Sequence, residues 1–133
     1  VPQECQVEIK RALELTRQNT GLIFNIALNY GARQEIIEAV KIFTKKVLDK
    51  ELKLSDLNEE LFSSLLYTDG MPDPDLLIRT AGEKRISNFM LWQIAYTELV
   101  VLNTLWPDLR PRDLKNAIIE YQQRDRKFGG LNN

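Results

Sequence analysis

The sequence predicts an α/β fold: a mostly parallel central sheet flanked by helices, present as an incomplete portion of such a fold. Short apolar runs at 22–28, 76–78 and 99–102 alternate with amphipathic helical stretches. The runs are continuously apolar, as expected of strands covered on both faces. Three strands are few for a parallel sheet, whose strands need neighbours as well as helices. The rest of the sheet is therefore expected from further sequence or from another chain.

Each element follows from its own pattern. Residues 3–18 form an amphipathic helix, with Cys5, Ile9, Ala12, Leu13 and Thr16 on one face, and Asn19-Thr20-Gly21 stops it. Leu22–Leu28, with Gly21 and Gly31 near its ends, reads as a buried parallel strand. Asn29-Tyr30-Gly31 turns the chain into a helix over about 33–48, its apolar stripe formed by Ile36, Val40, Phe43 and Val47. Ser55 or Asp56 is a plausible N-cap for a third helix carrying Leu57, Leu61 and Leu65. The breaker-rich segment 69–74 precedes a strand at Leu76–Ile78. Ser87 or Asn88 is expected to cap a short helix running through Trp92 and Tyr96, before a third strand at Leu99–Leu102. Trp106-Pro107-Asp108 is a turn. Pro111 suits the first turn of a last helix, with Leu114, Ala117, Ile118 and Tyr121 facing inward.

Composition narrows the chemistry. The 133 residues fit one domain, and a hydrophobic fraction of 44% suits a folded core. The net charge of −1 leaves no basic footprint for nucleic acid or an anionic membrane, so an anion must be held by a local cluster. Histidine is absent, which removes His-based nucleophile systems and His metal sites. Cys5 is the only cysteine, so there is no internal disulfide; it is expected on the buried face of the first helix, in a reducing cytosolic setting. No apolar run approaches the roughly 20 residues that span a bilayer. The start at Val1, without an initiator methionine, suggests truncation or processing.

The strand at 76–78 leads directly to Arg79. Ligands of open α/β sheets sit beyond the carboxyl ends of strands. Arg85 and Ser87 follow across a loop containing Gly82, at the expected start of the next helix. Two guanidiniums, a hydroxyl and a helix N-terminus make a cradle suited to a diphosphate. The plainer alternative pairs these arginines with Glu83 or Asp75. Glu98 is a carboxylate that could ligate Mg²⁺ or simply face solvent. Asp73-Pro74-Asp75 could be a metal-binding pair, but the prolines flanking Asp73 favour a rigid turn with Asp75 entering the strand. Phe89, Trp92 and Tyr96 would share one helical face, for the core or a subunit interface. The segment from Arg124 to Gly130 is either a basic helix end with a Gly stop or an arm reaching into a phosphate site.

Four blocks, Thr20–Gly31, Pro74–Phe89, Trp92–Glu98 and Arg124–Gly130, resemble the cis-prenyltransferases, the family of undecaprenyl diphosphate synthase, in the same order. The resemblance spans nearly the whole chain, and the second block is the most specific. It identifies the chain as the C-terminal half of such a protein. It implies a mostly parallel sheet, a hydrophobic tunnel, a homodimer and a cytoplasmic or membrane-peripheral enzyme. The implied reaction is Mg²⁺-dependent cis-condensation of isopentenyl diphosphate onto an allylic diphosphate such as farnesyl diphosphate. In bacteria the long product carries cell-wall glycans.

By the same resemblance, Arg79, Arg85, Ser87 and the backbone near Ile86 bind isopentenyl diphosphate. Glu98 contributes to Mg²⁺ from the partner subunit. Arg126, Lys127 and Gly129 lie in the tail that completes the site across the dimer. Lys127 departs from the family's usual arginine and loses its planar fork. The family's Asp-Gly-Asn-x-Arg-Trp loop, which binds the allylic diphosphate and supplies the main metal aspartate, is absent. The chain is therefore expected to be inactive alone and to contain no catalytic residue of its own. Two alternatives stay open: a non-catalytic dimerisation module or accessory subunit that completes a partner's site, and an unrelated phosphate-binding α/β domain.

Overall fold

The computed structural model describes residues 2–124. It divides into two compact units, Val1–Tyr30 and Gly31–Asn133. In the first, α1 (Gln3–Thr16) forms where its periodicity predicts, but none of its residues is buried, and Cys5 is exposed. The expected strand at 22–28 does not form; Leu22 is 92% exposed and Phe24 79%. The physical reason is shared. An apolar stripe is buried only against a second apolar surface, and a strand exists only through its hydrogen-bonded neighbour. One helix and one short run supply neither to each other.

The second unit begins with α2 (Ala32–Leu48), whose last turn carries Lys45 and Lys46 at the negative end of the helix dipole. Its buried face is Ala32, Glu35, Ala39 and Phe43, rotated from the expected stripe; Val40 is 46% exposed. Apolar residues occupy more than one face of this helix, and packing selects the face where alanines permit close approach. A 3₁₀ turn follows at Leu54–Asp56, then α3 (Glu59–Ser63). Neither Ser55 nor Asp56 caps α3. Asn58 does, its Oδ1 accepting from the Leu61 N–H at 2.8 Å, while Asp56 Oδ2 accepts from the Lys53 N–H at 2.7 Å and closes the earlier turn.

The sheet consists of β1 (Leu76–Arg79) and β2 (Glu98–Val101), parallel, with Leu76 opposite Glu98 and Arg79 opposite Val101. α4 (Pro111–Gln122) starts with Pro111 in its first turn and packs on both strands. Ala117 is buried in α4 and Val100 in β2. Of the other residues expected to face inward, Tyr121 is half-buried, Leu114 is 47% exposed and Ile118 41%.

The connection between the strands departs from expectation. No helix runs through Trp92 and Tyr96; residues 87–96 form successive turns and bends. Ser87, Asn88 and Met90 have φ of 53°, 62° and 46°, left-handed values that a right-handed helix cannot contain. Asn88 caps α2 instead. Its Oδ1 accepts from the Arg33 N–H and its carbonyl from the Ala32 N–H, both at 2.9 Å. Gly31 makes room for this reach, because a Cβ there would meet Asn88 Nδ2 at 2.8 Å.

Candidate functional site

Arg79 closes β1, so its position at the carboxyl edge of the sheet is as expected. The chain then turns through Ala81 and Gly82, with φ of 64° and 66°. This turn is tied to the segment after β2: the Ala81 N–H donates to Thr104 O and the Gly82 N–H to Leu102 O, each at 2.9 Å. The Leu102 N–H returns a bond to Arg79 O at 2.7 Å. The edge is thus a laced double loop. Within it, Arg79 Nε is buried without a hydrogen-bond partner. Buried guanidinium nitrogens are normally satisfied, so this unpartnered donor is an exception within the laced edge.

Arg85, Ile86 and Ser87 lie on the same loop and are exposed. Arg85 is bonded to the Glu83 carboxylate, which realises the ion-pair alternative for this residue. Ser87 has left-handed backbone geometry and opens no helix, so the helix N-terminus expected as part of the phosphate cradle is absent there. Any anion at this edge is held by side chains and loop amides.

Glu98 stands at the other end of the sheet. It pairs in register with Leu76, whereas Arg79 pairs with Val101. Three strand steps separate the two ends, roughly 10 Å at the usual rise. The register therefore does not bring Glu98 to the arginine edge of its own chain. Glu98 Oε2 accepts from Arg124 Nη1 at 2.9 Å, and the same nitrogen donates to Leu99 O at 2.9 Å. Arg124 also reaches Glu120, and the hydrogen bonds to Glu98 and then Glu120 raise its guanidinium above the ordinary value. Among the described residues, no group of three or more acidic, cysteine or histidine side chains could hold a metal ion. Glu98 alone supplies one carboxylate, short of the octahedral oxygen set of Mg²⁺. Arg126, Lys127 and Gly129 lie outside the described residues.

Asp73-Pro74-Asp75 acts as a structural turn. The Thr97 hydroxyl donates to Pro74 O at 2.6 Å, and the Glu98 N–H to Asp75 O at 3.1 Å, fixing the start of the strand pair.

A second cluster was not foreseen. Glu35 and Gln93 are 1% and 2% exposed. Glu35 Oε1 accepts from the Tyr67 N–H at 2.8 Å and from Gln93 Nε2 at 3.2 Å. Gln93 Nε2 also donates to Thr68 Oγ1 at 3.1 Å. The Trp92 indole donates to Ser63 Oγ at 2.9 Å, and its ring meets Phe62 at 4.6 Å between centroids. Of the aromatic trio, Tyr96 is 61% exposed, so no shared stripe exists. The signal available in the sequence was the placement of Glu35 in the Ala32-Ala39-Phe43 row. A carboxylate on a small-residue face needs a buried donor. A cavity of about 240 Å³ lies beside this cluster, lined by Gln93, Trp92 and residues of the 60–73 segment.

Residues 1–129 match the family model described as "Putative undecaprenyl diphosphate synthase". The chain belongs to the cis-prenyltransferase family. It is 50% identical over 131 residues to the isoprenyl transferases of Clostridium tetani and Bacillus subtilis, covering 98% of this chain and 51% and 50% of theirs. The chain thus spans about half the length of these curated relatives. Among solved structures, it is similar to lavandulyl diphosphate synthase from Lavandula x intermedia in complex with dimethylallyl diphosphate. That match has TM-score 0.93 and 40% identity, covering 98% of this chain and 56% of that one. A second, described as a probable undecaprenyl diphosphate synthase from Campylobacter jejuni, has TM-score 0.76 and 37% identity, covering 98% and 58%. The fold class read from the sequence, a parallel sheet with helices belonging to a larger cis-prenyltransferase fold, agrees with both.

Proposed function

We propose that this cis-prenyltransferase chain supplies the isopentenyl diphosphate side of a prenyl-transfer site, as the C-terminal half of the working protein. The reaction is cis-condensation of isopentenyl diphosphate onto an allylic diphosphate such as farnesyl diphosphate, giving an undecaprenyl-type lipid carrier. The observation that carries this reading is Arg79 at the carboxyl edge of β1, with a buried donor lacking an acceptor. In this reading Arg79, Arg85, Ser87 and the Ile86 backbone grip the diphosphate of the attacking substrate and orient it. Arg85 must leave Glu83 to do so. An exposed pair of this kind is worth about 0–1 kcal/mol, and its Arg side chain is 66% exposed. A phosphate accepting a charge-assisted bond, roughly 1.5–3 kcal/mol, competes with it successfully.

The described residues do not by themselves make up a Mg²⁺ site. Glu98 would contribute one ligand in a homodimer, after exchanging Arg124 for the ion, and the remaining ligands would come from substrate phosphates and from protein outside these residues. The tail residues Arg126, Lys127 and Gly129 would close the site across that dimer. The setting in this reading is cytoplasmic or membrane-peripheral; among the described residues, no helix is long and apolar enough to cross a membrane.

Isothermal calorimetry tests the substrate assignment. Isopentenyl diphosphate is expected to bind this chain more tightly than inorganic diphosphate, and Arg85→Ala is expected to weaken it about 10- to 150-fold. Equal affinity for the two ligands, or an unchanged Arg85→Ala variant, would refute it. The second reading, a non-catalytic dimerisation module or accessory subunit, draws on the half-length coverage of the relatives. Mixing the chain with the part of the Clostridium tetani relative that it does not match separates the two. Restored prenyl transfer supports a split enzyme, and stable inactive assemblies support the module.

A further inference from the structure

We propose that Asp69-Gly70 is a site of spontaneous covalent modification, at which the folded chain converts Asp69 to isoaspartate, independently of the prenyl-transfer reading. It is the one place in the sequence where aspartate or asparagine precedes glycine. The fold presents that pair in a reactive form. The Met71 N–H donates to Thr68 O at 2.9 Å and closes a turn over residues 68–71. Gly70 is third in this turn with φ of 77°, the left-handed value that a type II turn asks of that position. Asp69 and Gly70 are both exposed. Among the described residues the Gly70 N–H has no hydrogen-bond partner. Apart from its chain neighbours, no atom lies within 4 Å of where a Cβ on Gly70 would be. The nitrogen is thus neither tied up nor shielded.

The Gly70 nitrogen attacks Asp69 Cγ. An N–Cγ bond forms, a Cγ–O bond breaks, and the carboxyl oxygen leaves as water with the amide proton, closing a cyclic imide. Water then reopens the ring. Breaking the N–Cγ bond restores aspartate. Breaking the bond from nitrogen to the Asp69 main-chain carbonyl carbon leaves the chain running through Cβ and Cγ, with a free carboxylate on Cα. No oxidant, reductant or cofactor is required. The other described aspartates are poorer candidates: Asp73 precedes Pro74, which has no N–H, and the rest precede leucine or lysine, whose side chains hinder the attack. The added backbone atom falls between Thr68, whose hydroxyl is held by Gln93, and the start of β1.

Ageing the folded chain at neutral pH and body temperature tests this. Isoaspartate is read with an isoaspartyl methyltransferase and labelled S-adenosylmethionine, and it is located by peptide mapping. The peptide holding Asp69 is expected to gain label steadily with time. Asp69→Glu, an exposed and charge-preserving change, is expected to lose that label, because the longer side chain would have to close a larger ring. A synthetic peptide of residues 66–73 is expected to accumulate label at a rate of the same order as the folded chain. Label found only in other peptides would overturn the proposal, as would label in that peptide that persists in Asp69→Glu. A folded chain that stays unlabelled while the synthetic peptide accumulates isoaspartate would also overturn it, since the turn would then protect the pair.

Discussion

Asn88 shows how much one side chain decides. Its left-handed backbone turns the chain away from a helix, and its side chain reaches α2, whose N-cap Gly31 has no side chain to offer. Replacing Asn88 with alanine removes an N-terminal cap and is expected to cost about 1 kcal/mol in urea unfolding. Gly31→Ala should cost a similar amount, since its Cβ would displace the Asn88 amide from 2.8 Å. Both substitutions damage one contact, so the double variant is expected to lose clearly less than the sum. Full additivity would mean that the cap is not shared. At the arginine edge, Arg79 has a buried donor without an acceptor and Arg85 pairs with Glu83; under the proposed function a phosphate takes the place of Glu83.

Elements are tied to one another by polar contacts as well as by apolar burial. α2 is joined to the segment after α3 at two points on its surface, Glu35 to the Tyr67 N–H and Glu38 to the Tyr67 hydroxyl. Bonds from Gln34, chiefly, and Tyr67 lower the Glu38 carboxyl below its ordinary 4.5, while the bond to Glu38 raises Tyr67 above its ordinary 10.0. The signs define a window. A lowered carboxyl contributes above its unfolded value and loses that contribution as pH falls; a raised phenol contributes below its unfolded value and loses it as pH rises. The Glu38–Tyr67 contribution is therefore expected to hold between about pH 4.5 and 10 and to fade outside it. Alkaline titration followed at 295 nm should show one tyrosine ionising late, absent in Tyr67→Phe; an identical curve for the variant would exclude the bond. α4 and β2 are coupled similarly through Arg124, which joins Glu98, Leu99 O and Glu120.

At the level of the whole molecule, the chain carries more apolar surface than its own elements cover. In the unit Val1–Tyr30, Leu13, Leu22 and Phe24 are 65%, 92% and 79% exposed. Single exposed hydrophobics are ordinary, but a contiguous run marks an interaction surface. The isolated chain is expected to enhance anilinonaphthalene sulfonate fluorescence while retaining helical circular dichroism. Leu22→Ser with Phe24→Ser should remove most of that enhancement. Equal dye binding by the variant would place the apolar surface elsewhere.

The local patterns determined α1, the body of α2, strands expected at 76–78 and 99–102 and found at Leu76–Arg79 and Glu98–Val101, and the start of α4 at Pro111, because periodicity, a continuous apolar run and a fixed proline φ act within a few residues. They also placed Arg79 at a strand end, and the four motif blocks carried the resemblance to the family to which the chain belongs. Tertiary structure alone decided the remainder. Whether 22–28 is a strand depends on a neighbour, and which face of α2 is buried depends on what packs there. The turns at 87–96 replace a helix because Asn88 is committed to a helix end 55 residues away in sequence. Glu98 and Arg79 occupy opposite ends of the sheet because the parallel register puts them there. Such facts arise between distant segments, where spacing along the chain carries no information.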